Sequence, residues 1–278
     1  MKDKIPDIDI FISNLKKMEE LSNSLFLAIR KKKCEYPYFA AHLQLAIKDA
    51  TNKAYAISRL NGYYLNEIYI LYRNLIEVVI DMFWIFSFKD IDDNSVEILS
   101  KRFFMFSSFV FLKYGESTEW NIDNNKFLND NKEKFGLESQ IEAAKKYLNI
   151  TEMEDTKANN KLRKKQRQEW RLLPNYHKDS NEIIFKNRAD SAEPLFRKIC
   201  VCQEYSFSID YQVLSKYVHP YSLRFDLTMD SYASDSIYLQ MLNRSICCSM
   251  YLVTLYLELH AMDKPTPYKE IECVLLWL

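Results

Sequence analysis

The sequence predicts an all-α protein, a multi-helix bundle, and three observations carry that expectation. Apolar residues recur at helical spacing over long stretches, glycine is scarce at 3 in 278 residues, and 48% of the residues are hydrophobic, enough to bury a core. Hairpins and barrels need the tight turns that glycine serves, whereas helices joined by polar loops do not. The expected architecture is an up-and-down core with additional peripheral helices. One helical domain spans residues 1–278, with a candidate peripheral or mobile insertion at 117–175.

Taken in order, a first helix starts near Asp7 or Asp9, with Ile8, Phe11, Ile12, Leu15, Met18, Leu25, Phe26 and Ile29 on one stripe and Lys31 to Lys33 at its C-terminal end. A second runs from about Tyr38 to Leu60, apolar at Leu43, Ala46, Ile47, Ala50, Ala54 and Ile57, and Asn61-Gly62 is its stop. Tyr63 opens the most apolar helix, which lasts to about Phe88. After a polar turn, Val96 to Lys113 reads as a helix ended by Gly115; Phe103, Phe104, Phe106, Phe109 and Phe111 surround it, so it is expected to be buried.

The pattern weakens from Ser117 to Asn149. Thr151-x-x-Glu154 fits a capping box, and the polar composition from Glu152 to Glu169 fits a mobile connection equally well. Beyond Pro174 come helices at about Ser191–Gln203 and Ser208–Val218, the latter ended by Pro220. A long helix at about Ser236–Met262, the segment Lys264-Pro-Thr-Pro and a short apolar helix complete the chain.

Lysine plus arginine equals aspartate plus glutamate at 38 each, so no global field draws the protein to nucleic acid or an anionic membrane. The six cysteines form no CxxC pair and no zinc-like set with histidine, and the chain opens on charged residues. A cytoplasmic setting with unpaired, mostly buried thiols, no metal and no cofactor is expected. The stretch Ile68 to Phe88 contains three charges, each costly at a bilayer centre, and Ser245 to Leu257 is too short for a span, so no membrane segment is expected.

Within the third helix, Arg73, Glu77 and Asp81 share with Asn66 one sector about 80° wide, with Tyr63, Tyr69 and Trp84 in or beside it. Two readings fit: the solvent face of an amphipathic helix pinned by an Arg73 to Glu77 pair, or one wall of a ligand cleft. In the second, Arg73 cannot balance two carboxylates alone. A second basic group must come from elsewhere.

Further along, Tyr211, Ser215 and His219 stack at i, i+4 and i+8 on a helix that ends at His219, with Arg224 beyond. The helix dipole favours imidazolium there, which makes His219 the best general acid/base of the chain and a partner for the stripe; a C-capping histidine is the other reading. No Gly-x-Ser-x-Gly elbow accompanies Ser215, so serine nucleophile chemistry is not expected. Lys161, Arg163, Lys164, Lys165, Arg167 and Arg171, with Trp170 among them, suit either an RNA contact or a solvated charged helix.

The order Arg73-x3-Glu77, Trp170 and Tyr211-x2-Leu214-Ser215-x3-His219-Pro220 resembles an uncharacterised family of bacterial helical proteins that is HEPN-like and related to abortive-infection proteins. The resemblance spans roughly residues 60 to 225. It implies a HEPN-like bundle and a defence or stress protein acting on RNA or a nucleotide, either a metal-independent ribonuclease or a nucleotide-acting enzyme. His219, Arg73, Glu77 and Asp81 would then be the catalytic group, and Tyr211, Ser215 and Arg224 would hold ligand. HEPN ribonucleases pair an arginine with a histidine four to six residues later, and no arginine stands at that spacing before His219. A non-catalytic binding or scaffold module with a structural ion network and self-association is the alternative.

Overall fold

The computed structural model describes residues 8–29, 34–60, 64–90, 95–104, 192–195, 214 and 231–275. Every regular element among them is helical: α1 (Ile8–Ile29), α2 (Pro37–Arg59), α3 (Leu65–Ser87), a single 3-10 turn at Phe88–Asp90, α4 (Ser231–Leu259) and α5 (Thr266–Leu275). Further helical residues lie at 95–104, 192–195 and 214. The all-α bundle that glycine scarcity and periodicity predict is the observed architecture. No helix among the described residues is long and apolar enough to cross a membrane.

The chain divides into two compact units, residues 1–87 with 188–278, and residues 88–187. In the first, α2 and α4 pack on each other, α1 and α3 each pack on both, and α5 lies on α1 and α4. Residues at i, i+4, i+7 spacing explain this: Phe11, Leu15, Met18 and Leu25 of α1 and Leu43, Ile47, Ala50, Ala54 and Ile57 of α2 are all buried. Ala50 and Ala54, both 0% exposed, keep α2 slim where three helices meet it.

Specific contacts fix the directions. Gln44 Nε2 donates to Tyr256 Oη at 2.6 Å and Tyr238 Oη donates to the Ser58 carbonyl at 3.2 Å, so α2 and α4 run antiparallel. Phe39 stacks on Phe86 at 5.7 Å while Leu60 and Leu65 lie at the other end, so α2 and α3 are antiparallel too. The up-and-down alternation therefore covers α1 to α3. By contrast α4 runs parallel to α3, since each is antiparallel to α2.

Boundaries follow local chemistry. Pro37 occupies the first turn of α2, where its missing N–H is not needed, and the Tyr36 carbonyl accepts from Ala40 N at 2.9 Å. The buried hydroxyls of Thr51, Ser245 and Thr254 donate to carbonyls one turn back, at Ile47, Met241 and Met250, so these polar residues sit inside apolar faces with their protons placed.

At its C-terminus α4 stops at Leu259 rather than at Met262. Ala261 adopts φ 46°, Met262 N donates to Leu257 O at 2.9 Å, and Ala261 N donates to Glu258 O at 3.2 Å. This is a Schellman closure with alanine where glycine is favoured, so composition hid the stop. The short C-terminal helix is present as α5, and it is amphipathic: Tyr268 and Ile271 are buried while Lys269 and Glu270 are exposed.

Two burial expectations need correction. Phe103 and Phe104 are only half-buried, because Val96, Leu99, Ser100 and Arg102 take the buried positions of that helix; Phe106, Phe109 and Phe111 lie outside the described residues. Of the four described cysteines, Cys248 is buried, Cys34 and Cys247 are half-buried, and Cys273 is exposed. The described thiols are thus not mostly buried.

The Ala261 conformation yields a direct prediction. An alanine in the left-handed region costs about 1–2 kcal/mol, partly offset by the unfolded-state freedom that glycine adds. Ala261→Gly at this exposed position raises stability by about 0.5–1 kcal/mol, read as a higher urea midpoint with unchanged slope.

Candidate functional site

The central helix of the candidate site is α3, and its exposed face is narrow: Glu67, Ile70 and Asn74. Arg73 and Glu77 border that face, each with a side chain 23% exposed, and Arg73 Nη2 lies 3.3 Å from Glu77 Oε1. Asp81, one turn further, is only 5% exposed, within a run from Val79 to Phe86 that is buried on every side of the helix. The stripe thus descends from a half-open rim into the interior.

This gradient divides the two readings of the stripe. An i, i+4 pair on the rim is formed as an amphipathic surface helix would form it. Asp81 is not on a solvent face at all, and a carboxylate taken out of water must be held by charge or hydrogen bonds. Tyr69 and Trp84, expected beside the stripe, are 6% and 1% exposed, and Asn66 is half-buried. Tyr63 lies outside the described residues.

The other sequence-level candidates, Tyr211, Ser215, His219 and Arg224, together with Lys161, Arg163, Lys164, Lys165, Arg167, Arg171 and the capping-box segment, also lie outside the described residues. Of the described histidines, His42 is buried in α2, and His260 lies just beyond α4 with its ring edge-on to Tyr256 at 4.7 Å. Among the described residues no group of three or more His, Cys, Asp or Glu could hold a metal ion.

Three polar features escaped the sequence reading. Arg244 is half-buried and is the one charged residue of α4 between Asp235 and Glu258, a signal that an isolated charge in a long apolar run could have given. Arg102, in the second unit, is 0% exposed. At the C-terminal end of α4, the fully buried Tyr256 receives the Gln44 amide and meets Phe26 edge-on at 5.6 Å, and Tyr256-x3-His260 spacing was its only sequence trace.

Burial pushes the Tyr256 phenol above its ordinary 10.0; the Gln44 hydrogen bond opposes this and charge on Cys34 adds to it. Burial likewise raises Tyr238. Both phenols are therefore neutral donors or acceptors rather than acid/base groups near neutral pH.

What these observations define as a class is an all-α helical-bundle protein with a charged edge along an apolar helix. Comparison of the chain with protein-family models, with curated protein sequences and with solved structures finds no match. The chemistry must therefore be argued from the residues themselves.

Two expectations follow. Replacing Arg73 or Glu77 by glutamine lowers stability by about 0.3–1 kcal/mol in 50 mM salt and by less in 1 M salt, since a rim pair is partly screened; chemical denaturation at both salts reads this. For the tyrosines, a folded value raised above 10.0 gives stability that is whole below pH 10 and lost as pH rises through the folded value. The urea midpoint accordingly falls above about pH 10, and Tyr238→Phe makes that fall shallower.

Proposed function

We propose that the chain is a HEPN-like helical protein of bacterial defence or stress response that acts on RNA or a nucleotide along the polar edge of α3. The observation that supports this best is Arg73, half-buried and held by Glu77 at 3.3 Å, two turns from the buried carboxylate of Asp81. A guanidinium fixed in a partly dry edge is a preorganised phosphate contact, since little rotamer freedom remains to be lost on binding. In this reading Arg73 or Arg224 holds phosphate, Glu77 orients the histidine, and His219 moves the proton. Tyr211 and Ser215 contact the ligand, and the cationic run from Lys161 to Arg171 is a further RNA contact in its own right.

A different class of function has its own support. The Arg73–Glu77 pair satisfies itself within one helix, as a structural ion network does, and Ile70 beside it is 45% exposed. That combination suits a non-catalytic module that binds another chain or a second copy of itself. A cytoplasmic setting belongs to either reading.

Incubation of the purified protein with mixed-sequence RNA separates the two. Cleavage by the wild type, reduced at least about 100-fold in His219→Ala, is the outcome expected of general acid/base catalysis. Absence of both cleavage and RNA binding in the wild type sinks the RNA reading and leaves the binding module.

A further inference from the structure

Few groups join α5 to the helices beside it. Among its described residues only Tyr268 and Ile271 are buried. Tyr268 Oη meets Thr254 Oγ1 of α4 at 2.6 Å, and Glu270 accepts from Lys17 Nζ of α1 at 2.8 Å. Two further contacts stay within the segment itself: Lys264 Nζ donates to Glu272 at 2.7 Å and stands 5.0 Å from the centre of the Tyr268 ring. The segment 264–272 is therefore a braced unit that leaves α1 and α4 without losing its own pairings.

The turn that folds α5 back opposes the local sequence. Ala261 sits at φ 46°, in the left-handed region that is costly for a residue with a Cβ and that glycine usually fills. No glycine stands between Leu259 and Asp263, and Ala261 and Met262 are among the better helix formers, which is why sequence pattern carries the helix on to Met262. Letting α4 run straight on to Asp263 removes the positive φ. Two bonds of the turn, Met262 N to Leu257 O and Ala261 N to Glu258 O, then give way to the regular helical bonds of Ala261 N to Leu257 O and Met262 N to Glu258 O. No backbone bond is lost in the exchange.

Pro265 halts the extension, because its ring clashes with the carbonyl four residues back and the residue before it avoids helix. In the straight form α5 therefore points away from its own α1–α4 groove. Tyr268 and Ile271 are left facing water.

We infer that α5 is an exchange arm: α4 straightens at Ala261, and α5 docks in the α1–α4 groove of a second copy of this chain while the α5 of that copy docks in return. A second copy fits the groove because it presents Tyr268 to Thr254, Glu270 to Lys17 and Ile271 to the apolar floor in the arrangement already formed within one chain. Closed and exchanged forms share these contacts and differ at the hinge, where the exchanged form is the relaxed one. Against it stands the freedom lost on association, which rising concentration offsets. Reciprocal exchange closes at a dimer. This device gives the chain a route to self-association that needs no exposed apolar patch, and it does not depend on the RNA reading of the α3 edge.

Carbodiimide cross-linking tests it. Unlabelled and heavy-nitrogen-labelled full-length chains are mixed, warmed together to allow exchange, separated by size and treated with the reagent, which condenses Lys17 Nζ with the Glu270 carboxylate to an amide and takes up the water. The dimer fraction yields Lys17–Glu270 linked peptides of mixed isotope, whereas the monomer fraction yields them within one isotope only. A dimer whose links are all of one isotope overturns the exchange, and so does a chain that stays monomeric from micromolar to millimolar concentration.

The hinge is tested separately by Ala261→Gly. Glycine relieves the turn and weakens the straight helix at both hinges of the dimer, so the dimer dissociation constant read by sedimentation equilibrium rises at least about 30-fold. An unchanged constant overturns the role of the hinge.

Discussion

Contact between α2 and α4 organises the described part of the first unit, because these two helices touch each other and, between them, α1, α3 and α5. The pair is pinned near both ends by side-chain hydrogen bonds, Gln44 to Tyr256 and Tyr238 to Ser58. A hydrogen bond is worth only about 0.5–1.5 kcal/mol net, so it is burial of Leu43, Ile47, Leu242, Ile246 and Val253 that drives the pairing and the bonds that choose its register. Once that register is set, α1 and α3 have only the two flanking grooves to occupy. The position of every charge on α3 relative to α4 is a consequence.

The charged edge of α3 is held against a cost. Asp81 gains nothing from the hydrophobic effect and loses its water, whereas the neighbouring Ile80, Met82 and Phe83 are buried at no electrostatic penalty. An apolar residue in its place would pack there without that cost. Retaining a buried carboxylate beside a half-buried ion pair is the kind of local inconsistency that points to specificity or function rather than to bulk stability.

Much of this was legible in local pattern. Helical periodicity located α2 and α3 to within two residues at each end, because their apolar stripes begin and end sharply. It failed at the start of α4, where Ser231 to Asp235 carries no such stripe, and at its end, where an alanine does what a glycine usually does. Periodicity also identified the sector shared by Arg73, Glu77 and Asp81 but not their depth, since a helical wheel knows angle and nothing of what covers it.

The parallel course of α3 and α4 bears on how the chain acquires its structure during synthesis. Three consecutive helices with short links can assemble early, but their shared groove is closed by a helix that begins only at Ser231, after more than half of the chain has followed them. Contacts of such sequence separation form slowly, and until they form the apolar faces of α1, α2 and α3 stand open to water. A nascent chain stalled before α4 emerges is then an adhesive intermediate, one that chaperones would be expected to recognise.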